Sequence, residues 1–296
     1  MAAKLIDGKA IAARVRAEVA EEVTSFGVEY RRAPGLATVL VGDDPASAVY
    51  VGGKQRAGEE VGIVPFDRRL PSDASFEQVA GELEALNEDP AVNGILLQLP
   101  VPDHLDGPAL TNLISAVKDV DGLTPVNAGL LALGTPALVP ATPSGVMVLL
   151  EESGVELEGA EAVVVGRSNL FGKPIAQLLL AANATVTVCH SRTRDLAAVC
   201  SRADVLIAAI GRARMIGAAH VKPGAVVIDV GINRISPEEA GNKSGIVGDV
   251  DHAAVAELAS AITPVPGGVG PMTIAMLLRN TIKAARTQAE LEEARA

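Results

Sequence analysis

The stretch VVVGRSNLFGKP, Val163 to Pro174, decides the fold. Three consecutive valines, Val163, Val164 and Val165, read as a strand buried on both faces, as in a parallel sheet. Gly166 ends the strand, and Arg167, Ser168 and Asn169 follow. After Gly172 comes Pro174, which suits the first turn of a helix, where its missing N–H is not needed. The next residues, IAQLLLAA, are helical in pattern. A strand, a glycine turn and a helix N-terminus together aim free backbone N–H groups and the positive end of the helix dipole at one place, which makes an anion site.

The spacing Gly166-x-Ser168-x-x-x-Gly172 departs from the Gly-x-Gly-x-x-Gly of dinucleotide folds. The next strand supplies a second clue. ATVTVC, Ala184 to Cys189, alternates and is β-branched, and it runs into His190, Ser191 and Arg192. In dinucleotide folds the end of this second strand faces the adenosine ribose. An acid there selects NAD, and an arginine accommodates the 2′-phosphate of NADP. This chain has no acid there but Ser191 and Arg192, with Arg167 also available, so the site reads as one for NADP. The ordinary alternative is a strand-turn-helix with surface arginines.

Composition bounds the rest. A chain of 296 residues implies about two domains. Hydrophobic content of 49% provides ample core, but four Phe, two Tyr and no Trp leave that core to Val, Leu, Ile and Ala. A net charge of −11 argues against nucleic acid or an anionic membrane as partner. Cys189 and Cys200 have no metal-ligand spacing. MAAKLIDGK has no apolar segment of the kind a secretion signal needs, so the expected location is cytoplasmic. Gly122 to Leu150 carries no charge, but Pro125, Pro136, Pro140 and Pro143 interrupt it, so it reads as loops and short elements joining two domains.

In order, Asp7 caps a first helix with Ile11, Val15, Val19, Val23 and Phe26 on one stripe. LATVLV (36–41) is a buried strand, and a helix runs from Ala46 to about Glu60. A polar-alternating strand covers 64–70. Ser72 or Asp73 then caps a helix carrying Phe76, Val79, Leu83 and Leu86. GILLQL (94–99) is another buried strand. Strands alternating with helices mean an α/β fold with mostly parallel sheets. A first domain is expected over residues 1–138, joined by a final helix in 272–296. A second is expected over 139–271, with helices at 144–152 and 195–200 and TPVPGGVGP (263–271) as a loop lying close to a ligand.

In α/β sheets ligands bind outside the carboxyl ends of strands, which draws attention to a few polar residues. Tyr50 and Lys54 share a helix face. Gln98 is the lone polar residue in ILLQLP, and Asp121 precedes Gly122 in the turn KDVDG. Gly52 and Gly53 each cost about 1 kcal/mol in a helix interior, so a small face there has room for another backbone or a flat ligand. Each feature has an ordinary reading too: a half-buried ring beside a solvated amine, a glutamine tying down a loop, an aspartate capping its own turn. His104 and His190 read as structural. Tyr50-x-x-x-Lys54 imitates the pair of short-chain dehydrogenases, but there the pair follows the nucleotide motif, and here it precedes it in another domain.

Taken together, SAVYVGGK, GILLQLPVPDHL, KDVDGL, PATPSG, GRSNLFGKP, VIDVGIN, GDVD and TPVPGGVGPMT closely resemble the bifunctional methylenetetrahydrofolate dehydrogenase/methenyltetrahydrofolate cyclohydrolase family over nearly the whole chain. The resemblance implies two α/β domains, the second a Rossmann-type NADP-binding domain, with an active-site cleft between them. It implies oxidation of 5,10-methylenetetrahydrofolate to 5,10-methenyltetrahydrofolate and hydrolysis of that product to 10-formyltetrahydrofolate. Lys54 would be the acid/base group, with Gln98 hydrogen-bonded to it. Tyr50 would stack on the folate, and Asp121 would hold the pterin edge. Pro266, Gly270 and Ile274 would line the folate site. Gly166, Arg167, Ser168, Ser191 and Ile232 would contact NADP. A homodimer through the NADP domains is also implied. The chain departs from the common family pattern at Ala141, where relatives often have Cys, and at His252, where they often have an aromatic.

The residue chemistry agrees. Adjacent nitrogen lone pairs drive hydride loss from the methylene carbon, so no metal is needed to polarise it. The cationic product accepts water once a base assists, and a partly buried lysine supplies one. Two alternatives compete: a dehydrogenase without the hydrolytic step, against which Lys54, Gln98 and Tyr50 all argue, and a catalytically silent NADP-binding protein.

Overall fold

The computed structural model describes residues 3–135 and 138–294. In chain order its elements are β1 (Lys4–Leu5), α1 (Gly8–Tyr30), β2 (Gly35–Val41), α2 (Pro45–Glu60), β3 (Val64–Leu70), α3 (Phe76–Glu88), β4 (Gly94–Leu97), α4 (Gly107–Thr111), α5 (Pro125–Ala132) and α6 (Ala141–Ser153). There follow β5 (Glu161–Val165), α7 (Gly172–Ala181), β6 (Thr185–Cys189), α8 (Leu196–Cys200), β7 (Val205–Ala208), β8 (Val226–Asp229), β9 (Asn233–Arg234), α9 (Pro237–Ala240), β10 (Ile246–Val247), α10 (His252–Ala256), β11 (Ala261–Ile262) and α11 (Val269–Glu293).

Two compact units result. One holds Ala13–Ala141 and Ile274–Ala296, the other Met1–Ala12 and Thr142–Thr273. They are called here the Lys54 unit and the Gly166 unit. The first twelve residues therefore leave the domain expected for them. The reason is pairing: β1 joins β11 in parallel, Lys4 opposite Ala261 and Leu5 opposite Ile262. Two residues are too short to announce a strand in sequence.

In the Lys54 unit the sheet order is β3-β2-β4, all parallel. Every residue of central β2 is buried, whereas edge strand β3 has no fully buried residue and exposes Val64, Asp67 and Arg69. Val79, Leu83 and Leu86 of α3 pack on Ala37, Val39, Ile95 and Leu97. The cap of α3 is Ser75, not Ser72 or Asp73. The Gln78 N–H donates to Ser75 Oγ (3.3 Å) and the Ser75 N–H to Gln78 Oε1 (2.7 Å), a reciprocal box that satisfies two orphan donors. Ile11, Val15, Val19, Val23 and Phe26 of α1 are all buried.

In the Gly166 unit the sheet order is β1-β11-β8-β7-β5-β6, again parallel throughout. Its inner strands β5, β7 and β8 are buried apart from Glu161, because helices cover both faces of such a sheet. β6, at the edge, is part-exposed up to the buried Cys189. A small antiparallel pair, β9 with β10, follows β8 in the chain.

Two loop assignments change. α11 starts at Val269, inside TPVPGGVGP, because Pro271 falls in the first turn, where no N–H is required. The uncharged segment 122–150 contains α5 and most of α6, with Pro136 outside the described residues. Among the described residues no helix is long and apolar enough to cross a membrane.

Asn280 on α11 is buried, and its Nδ2 donates to the carbonyls of Val120 (2.8 Å) and Val139 (2.7 Å). Replacing it by leucine leaves two carbonyls without donors. Asn280→Leu is expected to cost about 2–4 kcal/mol, read as a lowered denaturant midpoint at unchanged slope. A midpoint unchanged from wild type would show that the tether contributes nothing.

Candidate active site

α2 is set by Asp44, whose Oδ2 accepts from the Ser47 N–H at 2.7 Å, with proline opening the first turn. One turn apart on this helix, Tyr50 and Lys54 meet: the Lys54 Nζ stands 4.7 Å from the centroid of the Tyr50 ring, within cation–π range. Nζ also donates to Gln98 Oε1 at 3.0 Å. Gln98 lies one residue past β4. Its backbone N–H continues the ladder to Val39 (2.8 Å), and its Nε2 donates to the Leu99 carbonyl (2.7 Å), which turns the amide oxygen toward Lys54.

Lys54 is 5% exposed. Burial lowers the pKa of its amine below the ordinary lysine value, and the nearby Asp121 carboxylate opposes that fall. Asp121 is pushed the other way: burial raises its pKa, the Lys54 charge opposes, and Asp119 adds to the rise. Both groups are held nearer to neutrality than in water, the condition in which a side chain trades protons readily.

The turn KDVDG divides its labour residue by residue. Lys118 is buried, and its Nζ donates to the carbonyls of Leu86 (3.1 Å) and Asp89 (2.8 Å), closing the C-terminus of α3. Asp119 accepts from the N–H groups of Leu123 (3.1 Å) and Thr124 (2.8 Å) and from Asn127 Nδ2 (2.9 Å). Val120 is core. The turn-capping role that the ordinary reading gave to Asp121 thus belongs to Asp119. That leaves the Asp121 carboxyl to interact with Lys54. Sequence alone could not divide these roles, since the two acids are only two residues apart.

Gly52 and Gly53 lie inside α2. A Cβ on Gly52 would meet no atom within 4 Å, and one on Gly53 would meet only Ile274 Cδ1 at 3.9 Å. No protein backbone therefore explains the glycines, and the face beside Tyr50 and Lys54 stays low. Ile274 comes beside Gly53. Gly270 sits one turn earlier on α11, and Pro266 is exposed in the segment before it; both belong to the Gly166 unit.

In that unit the proposed cofactor residues follow the carboxyl ends of neighbouring parallel strands. Gly166, Arg167 and Ser168 follow β5. Ser191 and Arg192 follow β6, whose Cys189 pairs with Val165. Ile232, 64% exposed, follows β8. Arg167, Ser168, Ser191 and Arg192 are exposed as well. Gly166 has φ +135°, and a Cβ there would lie 2.3 Å from the Ala209 carbonyl oxygen, so only glycine lets the turn pass this close to β7. Ser168 Oγ accepts from the N–H groups of Phe171 (3.2 Å) and Gly172 (3.4 Å), which shapes the start of α7. This glycine cradle, open to solvent at a helix N-terminus, fits a dinucleotide phosphate.

Other singled-out residues hold structure. His104 Nε2 bonds the Ala74 carbonyl (3.0 Å), and His190 Nδ1 accepts from the Arg192 N–H (3.2 Å). Cys189 and Cys200 are buried free thiols, and burial pushes Cys200 up to about 12.

Comparison with known proteins gives this geometry a family. A profile described as tetrahydrofolate dehydrogenase/cyclohydrolase, catalytic domain, matches residues 6–121, and the corresponding NAD(P)-binding domain matches 140–289. The chain is 60% identical over 291 residues to the bifunctional protein FolD 2 of Frankia alni, covering 98% of this chain and 99% of that one. Among solved structures, the bifunctional FolD dehydrogenase/cyclohydrolase of Campylobacter jejuni matches with a TM-score of 0.92 at 45% identity, covering 97% of this chain and all of that one. The Trypanosoma brucei enzyme, solved with NADP and an inhibitor, matches with a TM-score of 0.92 at 40% identity, covering 98% and 99%. The chain belongs to the tetrahydrofolate dehydrogenase/cyclohydrolase family.

Proposed function

We infer that this protein oxidises 5,10-methylenetetrahydrofolate to 5,10-methenyltetrahydrofolate with NADP⁺ and hydrolyses that product to 10-formyltetrahydrofolate. The observation that carries the reading is the buried Lys54 amine, bonded to Gln98 at 3.0 Å and facing Tyr50, in a chain of this family. NADP⁺ supplies the hydride acceptor.

Lys54 in its neutral form takes a proton from the water that adds to the amidinium carbon. It returns that proton to the ring nitrogen as the carbon–nitrogen bond breaks, while the new hydroxyl loses its own proton to solvent and becomes the carbonyl of the formyl group left on the other nitrogen. Gln98 orients the amine through its fixed amide oxygen. Asp121 tunes the amine and holds the pterin edge by hydrogen bonding. Tyr50 provides the stacking surface, and Pro266, Gly270 and Ile274 line the folate. Gly166, Arg167, Ser168, Ser191, Arg192 and Ile232 hold the dinucleotide. The active form is a cytoplasmic homodimer joined through the NADP-binding units, for which light scattering should give about twice the mass of one chain.

Lys54→Met should lower hydrolysis of methenyltetrahydrofolate by about 10²–10⁴-fold, followed as loss of its absorbance, while folate binding remains. Undiminished hydrolysis would remove Lys54 as the base.

The pH profile follows from the signs of the shifts. Only the neutral amine is a base, so the rate should rise with pH through a midpoint below the usual lysine value of 10.5. Asp121 favours the charged amine, so Asp121→Asn should move that midpoint lower still. A midpoint moving upward would reverse the electrostatic assignment.

With Ser191, Arg192 and Arg167 facing the 2′-phosphate, kcat/KM for NADP⁺ should exceed that for NAD⁺ by about tenfold or more. Equal efficiencies would end the NADP assignment.

A further inference from the structure

The segments VIDVGIN and GDVD mark the family in sequence, but the reaction gives neither Asp229 nor Asp249 a role. In the structure they interlock. Asp249, with no exposed surface, accepts four donors: the N–H groups of Ile210 (2.5 Å), Gly211 (2.9 Å) and Arg212 (2.9 Å), and Asn233 Nδ2 (2.8 Å). Asp229, 3% exposed, accepts from the N–H groups of Gly231 (3.0 Å), Asp249 (2.9 Å) and Val250 (3.0 Å). Its own N–H donates to Thr263 Oγ1 (2.8 Å).

The glycines of the two segments make the interlock reciprocal. A Cβ on Gly231 would lie 2.4 Å from the Asp249 carboxyl, and one on Gly248 would lie 1.8 Å from Asp229 Oδ2. Each acid thus reaches its donors across a glycine of the other segment. Two neighbouring buried acids are expensive unless their oxygens are saturated, and here they are. Burial still pushes Asp229 up to about 6, with the Asp249 charge adding and the backbone donors opposing.

What the interlock fixes is specific. Residues 210–212 leave the carboxyl end of β7, and 231–233 leave that of β8. β7 pairs with β5, Ala208 opposite Val165, and the Ala209 carbonyl touches the Gly166 turn. The two clamped segments therefore border the cradle.

We propose that Asp249, locked in place by Asp229, is a positioning residue of the dinucleotide site. It holds segments 210–212 and 231–233 in their binding geometry before the nucleotide arrives and presents Ile232 to it. Ordering these loops in advance spares the nucleotide that entropy on binding. The inference rests on the NADP reading above.

The test is Asp249→Asn. In either orientation the amide puts an NH₂ against two N–H donors, so half of the clasp is lost at nearly constant volume. Titration calorimetry should show the NADP⁺ Kd raised about tenfold or more, while nucleotide-free hydrolysis of methenyltetrahydrofolate stays within about threefold of wild type. A Kd within about twofold of wild type overturns the proposal, and so does a parallel loss of both readouts, which marks general unfolding. If that variant does not accumulate, Asn233→Ala removes one of the four donors. It should raise Kd by about three- to tenfold with hydrolysis intact, and an unchanged Kd overturns the proposal equally. Wild-type protein that binds no NADP⁺ would instead overturn the cofactor reading beneath it.

Discussion

The chemistry proposed for this protein depends on one amine kept out of water. Lys54 is buried, yet its partners are not those of an ordinary ion pair. It has a neutral amide oxygen at 3.0 Å, an aromatic face at 4.7 Å and a carboxylate that is itself raised toward neutrality. A closely paired carboxylate would have fixed the amine in its charged form. A neutral acceptor and a π face satisfy its hydrogens while leaving burial to dominate its pKa. The rest of the Lys54 unit serves that balance. α2 sets Tyr50 and Lys54 one turn apart, β4 delivers Gln98 at its end, and the turn after Ser115 delivers Asp121.

The Gly166 unit solves a different problem, that of arranging loops at the carboxyl edge of a parallel sheet. Such loops must be ordered before an anionic ligand arrives, or the ligand bears the cost of ordering them. Buried carboxylates do the holding from behind. Asp249 gathers three N–H groups and an amide, Asp229 ties Asp249's own segment to β8, and Ser168 shapes the turn into α7. The principle also appears in the Lys54 unit, where Asp119 builds the turn that leaves Asp121 available. In both units one acid organises backbone beside the residues proposed to act on ligand.

Much of this was legible in the chain. Runs of β-branched residues announced the inner parallel strands, and the apolar stripe of α1 announced its buried face. The helical spacing of Tyr50 and Lys54 put them on one surface. The glycine turn after Val165, followed by Ser191 and Arg192 one strand later, pointed to a phosphate-bearing cofactor. These features are local, set by periodicity, steric freedom and charge within a few residues.

What the tertiary structure alone decided is non-local. Two-residue β1 has no pattern of its own; it is a strand because Ala261 and Ile262 offer an edge to Lys4 and Leu5. Ser75 won the cap of α3 over Ser72 and Asp73 because only it has Gln78 three residues on. Asp119 and Asp121 look alike in sequence, and only the positions of Leu123, Thr124, Asn127 and Lys54 tell the turn-builder from the tuner. Asp229 and Asp249, twenty residues apart, become one device only when β8 and the segment after β10 come together. Sequence determined the elements and the kinds of chemistry available, because those follow from each residue and its near neighbours. Which polar group is spent on structure and which stays free was decided by who its partners are in space.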